Sequence, residues 1–213
     1  MKIITLVVSI IFIVGTCLST ELVHFQPYSP SDTHCSNGIS GFGFIIPMDI
    51  CVGNSDLVDL PGSYFVKQWN STAVMLYTYI NIYFKTDCSG NPTSEFPYLM
   101  DTCNYDQYEG SFDETNYRYV PSNVSSDTGP TADVPPGSIL YSVFDKSCEN
   151  VESFYYITNN TVIGPNTDIP MTYYCTAENN IPMQDTCYKG KCQSYSLQSK
   201  CGSFENSITV SCT

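Results

Sequence analysis

The chain has 213 residues, with eight Lys+Arg against 21 Asp+Glu and a formal net charge of −13. Nucleic-acid binding requires a cationic surface that releases counterions from phosphates, and one arginine (Arg118) among so few basic residues excludes it. Adsorption to an anionic membrane surface is excluded on the same ground. A cation, a basic protein or a neutral glycan remain as partner classes, beside the plainer role of charge in keeping an exported chain soluble.

The N-terminus points to the compartment. Met1-Lys2 is a short positive region, and Ile3 to Val14 is an apolar run short of the roughly 20 residues that span a bilayer. Gly15-Thr16 breaks the run, and Cys17-Leu18-Ser19 sets small residues before a cleavage point, so residues 1–19 read as a secretory signal peptide. The tail Ser207–Thr213 has no apolar run for a lipid anchor, and release from the cell with no membrane-embedded segment is expected. Of the eleven cysteines, Cys17 leaves with the signal. Cys35, Cys51, Cys88, Cys103, Cys148, Cys175, Cys187, Cys192, Cys201 and Cys212 remain, an even set that predicts five disulfides in an oxidising compartment. Their pairing cannot be read from spacing, although the density between Cys175 and Cys212 favours short-range closure there. Zinc would need paired knuckles, and Cys187-x4-Cys192 is a single loose one. Three N-x-S/T sequons mark Asn70, Asn123 and Asn159 as candidate glycosylation sites, each of which would lie at the surface.

Along the exported part, residues 20–120 read as a β-rich acidic domain. Its first stretch is Pro/Ser-rich and holds both histidines, His24 and His34, which are expected to be exposed in a mobile leader. Gly41–Ile46 alternates briefly and stops at Pro47, and Ser63–Trp69 reads as a strand followed by an Asn70-Ser71 turn. Thr72–Phe84 is the longest strand candidate. It places Val74, Leu76, Thr78, Ile80 and Ile82 on one face and Met75, Tyr77, Tyr79, Asn81 and Tyr83 on the other, a pattern that predicts a central strand covered on both sides. Residues 121–137 hold four prolines, two glycines and no aromatic residue, and read as a linker or as one long surface loop. Residues 138–213 then form a smaller Cys-rich β module, with strands expected at Ile139–Phe144, Ser153–Thr158, Met171–Cys175 and Ser207–Ser211 and a hairpin turn at Lys189-Gly190. Lys189, Lys191 and Lys200 make that module mildly basic. Ile46-Pro47-Met48 before Cys51 and Ile181-Pro182-Met183 before Cys187 hint at a duplicated motif in which proline opens an edge strand. The fold class is mainly β, with a disulfide-rich, β-sandwich-like body.

Signals of chemistry are sparse. A Ser-His-Asp hydrolase needs one of the two histidines as base, and no G-x-S-x-G elbow is present. Asp101, Asp106, Glu109, Asp113 and Glu114 cluster around Gly110, a composition suited to calcium, but the EF-hand register fails because it would put Tyr105 at the first ligand position. A solvated acidic loop is the alternative, and no cofactor other than this calcium candidate is expected. Trp69, Tyr105, Tyr108 and Tyr117 are candidate binding residues, since exposed aromatic rings near amides and carboxylates suit a glycan or a protein surface; strand packing explains the same tyrosines.

Asp49-Ile50-Cys51, Asp87-Cys88 and Asp101-Thr102-Cys103, an Ile-rich signal, and frequent Asn, Ser and Tyr resemble small secreted cysteine-rich proteins of social amoebae whose domain has no assigned function. The resemblance implies an extracellular protein and carries over no catalytic residue. Two functional classes stay open: a non-enzymatic binding or adhesion protein, and a secreted glycoside hydrolase working through two carboxyl groups roughly 5 to 9 Å apart.

Overall fold

β-branched and aromatic residues alternate between Gly, Pro and Asn turns, and the chain folds almost entirely as strands. The structure, a computed structural model, describes residues 21–53, 62–80, 87–105, 117–124, 129–203 and 207–213. The expected signal peptide, the long strand beyond Ile80, and Asp106, Tyr108, Glu109, Asp113 and Glu114 lie outside the described residues. In chain order the strands are β1 (Leu22–Tyr28), β2 (Phe42–Pro47), β3 (Cys51–Gly53), β4 (Gly62–Asn70), β5 (Ala73–Ile80), β6 (Ser94–Leu99), β7 (Asn104–Tyr105) and β8 (Arg118–Asn123). There follow β9 (Ile139–Phe144), β10 (Val151–Ile157), β11 (Thr161–Ile163), β12 (Met171–Cys175), β13 (Pro182–Tyr188), β14 (Lys191–Ser196) and β15 (Ile208–Cys212).

Three sheets result. A seven-stranded sheet runs β15-β9-β10-β2-β1-β8-β7, and two four-stranded sheets run β3-β4-β5-β6 and β11-β12-β13-β14. One face of the large sheet is covered in two halves. Val23, Phe25, Ile46 and Tyr119 meet Val52, Val66, Val74, Leu76 and Tyr98 of the β3–β6 sheet. Phe25 stacks on Phe44 with ring centroids 4.6 Å apart and takes the edge of Tyr98 at 5.3 Å. Ile139, Tyr141, Val143, Tyr155, Ile157, Ile208 and Val210 form the second core with Ile163, Met171, Tyr173 and Leu197 of the β11–β14 sheet and its flank. Phe42 and Phe44 on β2 pack against both cores. β2 pairs with β10, so one continuous sheet joins strands from either side of residues 121–137. Within that segment Pro121, Ser122 and Asn123 belong to β8, and Val134 packs with Ile45 and Tyr156 on the opposite face of the large sheet.

That opposite face explains two features of the sequence. Tyr156 lies across Gly43 on the paired strand, where an added Cβ would sit 2.2 Å from the ring's Cζ, so only glycine fits. Beyond the glycine the Tyr156 hydroxyl meets His24 Nε2 at 2.8 Å. His24 is therefore no exposed leader residue: it lies 1% exposed in β1, between the β2 and β8 strands. The prolines of this stretch had suggested irregular backbone, but Pro27 sits within β1, with its neighbours paired on both sides. His34 fits the expectation of an exposed side chain.

The five disulfides are Cys35–Cys103, Cys51–Cys88, Cys148–Cys201, Cys175–Cys212 and Cys187–Cys192. None crosses residues 121–137. Between Cys175 and Cys212 closure is only partly local, since Cys201 reaches back to Cys148 on the β9–β10 loop. The Ile-Pro-Met echo is not a structural repeat, because Pro47 closes β2 whereas Pro182 opens β13, an inner strand. β5 is central as expected, between β4 and β6, with Val74, Leu76 and Thr78 buried and Met75, Tyr77 and Tyr79 half-buried.

Candidate functional site

Among the described residues, the β4–β5 hairpin carries the most exposed aromatic residue. A register shift between Gln68 and Asn70 leaves Trp69 outside the ladder, and its side chain is 58% exposed. Asn70 Oδ1 accepts from the Thr72 backbone N–H at 2.8 Å and the Thr72 hydroxyl at 3.0 Å, which closes the turn. The next segment is held to this turn by the Met100 N–H donating to the Thr72 carbonyl at 2.9 Å, and beside it Leu99 is 51% exposed. Asn104 then clamps Leu99 from both sides: its Oδ1 accepts from the Leu99 N–H at 3.0 Å and its Nδ2 donates to the Leu99 carbonyl at 2.8 Å. Its neighbour Tyr105, 49% exposed, pairs with Arg118, whose guanidinium carbon lies 5.2 Å from the ring centroid. Arg118 Nε also donates to the Pro30 carbonyl at 3.3 Å, and Cys35–Cys103 ties the segment after β1 to the residue before β7 covalently.

Trp69, Leu99, Tyr105 and Arg118 thus sit on successive segments linked by backbone hydrogen bonds and by the Asn104 side chain. Trp, Tyr and Arg are the residue types that dominate binding energy at protein interfaces, because each buries a large rigid surface while keeping a polar handle.

A family model described as counting factor-associated protein A/B/C matches residues 1–213. The chain belongs to that family. The family comes from social amoebae, as the Asp-Cys elements and composition had suggested. No curated protein and no solved structure matches the chain.

The remaining candidates fall elsewhere. Tyr117 is 7% exposed and belongs to the core, its ring filling the space in which a Cβ on Gly41 would stand. It is removed from the exposed set on that account; the sequence could not show it, because Gly41 is distant along the chain. Asp101 is exposed, in a left-handed turn (φ 53°) whose N–H donates to the Pro121 carbonyl at 2.8 Å. Among the described residues no three His, Cys, Asp or Glu side chains are grouped to hold a metal ion. Asn123 and Asn159 are exposed, and Asn159 Oδ1 accepts from the Cys175 N–H at 3.2 Å. Burial raises three core phenols, Tyr155 up to about 12 and Tyr141 and Tyr156 well above the usual phenol range. Leu99 was missed in the sequence, where one leucine among polar residues carries no signal.

Proposed function

We propose that this chain is a secreted, non-enzymatic binding protein that associates with counting factor through its Trp69, Leu99 and Tyr105 end. The observation that carries the reading is the exposure of three large side chains, Trp69, Leu99 and Tyr105, at 58%, 51% and 49%, on segments that hydrogen bonds tie together, with Arg118 against the Tyr105 ring. Single exposed apolar residues are ordinary, but exposed Trp and Tyr on neighbouring, hydrogen-bonded segments favour an interface. The family description supports counting factor as the partner class, since its wording is counting factor-associated. Five disulfides, the signal-like residues 1–19 and three sequons support an extracellular setting. Nothing among the described residues favours the alternative of a carboxylate-pair glycoside hydrolase.

The test is titration of purified chain against counting factor. Trp69→Ala removes an exposed ring, so its thermal transition stays at the wild-type temperature while affinity falls by about 30-fold, the size of an interface hot spot. Unchanged affinity in Trp69→Ala and Tyr105→Ala would remove this surface from the reading. A glycan array, with and without calcium, tests the glycan class; specific binding there would replace the protein partner.

A further inference from the structure

The β13–β14 hairpin extends beyond the core that anchors its sheet. Ile163, Met171 and Tyr173 seat the β11–β12 side and Leu197 packs there just after β14, whereas all six residues of β14 are exposed. The pairing register fixes which of its backbone groups are free. Leu197 N–H donates to the Pro182 carbonyl at 2.9 Å, so backbone bonds are exchanged at Gln184/Tyr195, Thr186/Gln193 and Tyr188/Lys191. Met183/Ser196, Asp185/Ser194 and Cys187/Cys192 are then the non-hydrogen-bonded pairs, in keeping with the 4.0 Å Cα separation of Cys187 and Cys192. Cys192, Ser194 and Ser196 consequently point their N–H and C=O groups away from β13, and no described residue meets them.

Other sheet edges are guarded. β3 and β11 have three residues and β7 two, β6 carries Pro97, and Ser199 bridges Val210 on β15. β14 is the long open one among the described residues. Its surroundings are also the basic part of an acidic molecule: Lys189 lies in the turn, Lys191 opens the strand, Lys200 follows, and the strand itself contains no carboxylate. Lys191, Gln193 and Tyr195 share one face with Tyr188, whose ring holds the Lys189 ammonium 5.0 Å from its centroid. Tyr188 and Tyr195 are 50% and 49% exposed.

We propose that β14 is a docking edge for an extended acidic segment of a partner protein, which adds as a fifth strand beside Cys192, Ser194 and Ser196 and presents carboxylates to Lys189 and Lys191. Backbone bonds to the edge supply affinity and the lysines supply selectivity, the division of labour in strand addition. The Cys187–Cys192 disulfide pre-forms the hairpin and lowers the ordering cost of binding. A second copy of the chain fits less well, since each carries a net charge of −13 and β14 offers Lys191 no carboxylate.

The test uses the full chain and short peptides alternating Glu with Thr or Lys with Thr, read by calorimetry and by amide shifts of Cys192, Ser194 and Ser196. The acidic peptide binds and shifts those amides; the basic one binds at least about tenfold more weakly. N-methylation of alternate peptide residues, or Ser194→Pro, weakens binding about tenfold, because each removes outward backbone donors without touching the β13 ladder. Lys191→Glu reverses the peptide preference and, as an exposed charge change, decides the matter if Ser194→Pro does not fold. Trp69→Ala leaves peptide binding unchanged, which separates this edge from the site proposed above. Equal binding of both peptides, no binding, or wild-type binding by Ser194→Pro would overturn the proposal, as would a concentration-dependent dimer abolished by Ser194→Pro, which would assign the edge to a second copy.

Discussion

His24 couples the fold to pH through one buried contact. Burial lowers its pKa from the usual 6.5 to about 4, with the Asp133 carboxylate pulling weakly the other way. An unfolded chain takes up this proton near 6.5 and the folded one only near 4. The stabilisation is therefore fully present above pH 6.5, declines as the pH falls through that window, and is gone below about 4. Denaturant titrations at neutral pH and at pH 4.5 check this: the wild type loses roughly 2 kcal/mol relative to His24→Phe, which cannot titrate. Gly43 makes a second prediction at this scale. Gly43→Ala drives a methyl into the Tyr156 ring, 2.2 Å from Cζ, and costs roughly 1–3 kcal/mol in the same titration, as overpacking does in a filled core.

Among the elements, Cys175–Cys212 joins the last residue of β12 to the last of β15 and so fastens the smaller C-terminal sheet to the large one. The double variant Cys175→Ser/Cys212→Ser loses about 2–4 kcal/mol, and hydrogen exchange quickens first in β11 and β12. Removing Cys187–Cys192, which encloses a hairpin with a sequence separation of 5 rather than 37, costs less. Elements with a strong local pattern were legible in the sequence. β9 and β12 occupy the expected Ile139–Phe144 and Met171–Cys175, because alternation there is bounded by turn residues. Lys189 and Gly190 both take positive φ, 48° and 76°, the tight turn that the pair suggested. β1 was not legible, since Pro27 and the serines after it masked a strand whose partners, β2 and β8, lie far along the chain.

At the scale of the molecule, stability rests on Phe42 and Phe44, which serve both cores at the seam between β2 and β10. Phe44→Ala costs about 3 kcal/mol and lowers protection on both sides of the seam together. Calorimetry of the wild type then gives one transition, with equal calorimetric and van't Hoff enthalpies. The seam has no signature in the sequence, because Phe42 and Ile157 are register partners separated by most of the chain. The candidate site was half legible for the same reason. Trp69 stood out at a strand end beside a turn, whereas its company with Leu99 depends on Met100 reaching the Thr72 carbonyl, and Tyr117 left the set only through a distant glycine.

The seam also orders events while the chain is being made. β1 to β8, with Cys35–Cys103 and Cys51–Cys88, can assemble before β10 has been synthesised, and during that interval β2 stands as an unpaired rim with Phe42 and Phe44 beside it. The nascent protein therefore passes through a stage whose stickiness the finished one does not share, and its yield depends on how soon residues 151–157 arrive to close that rim.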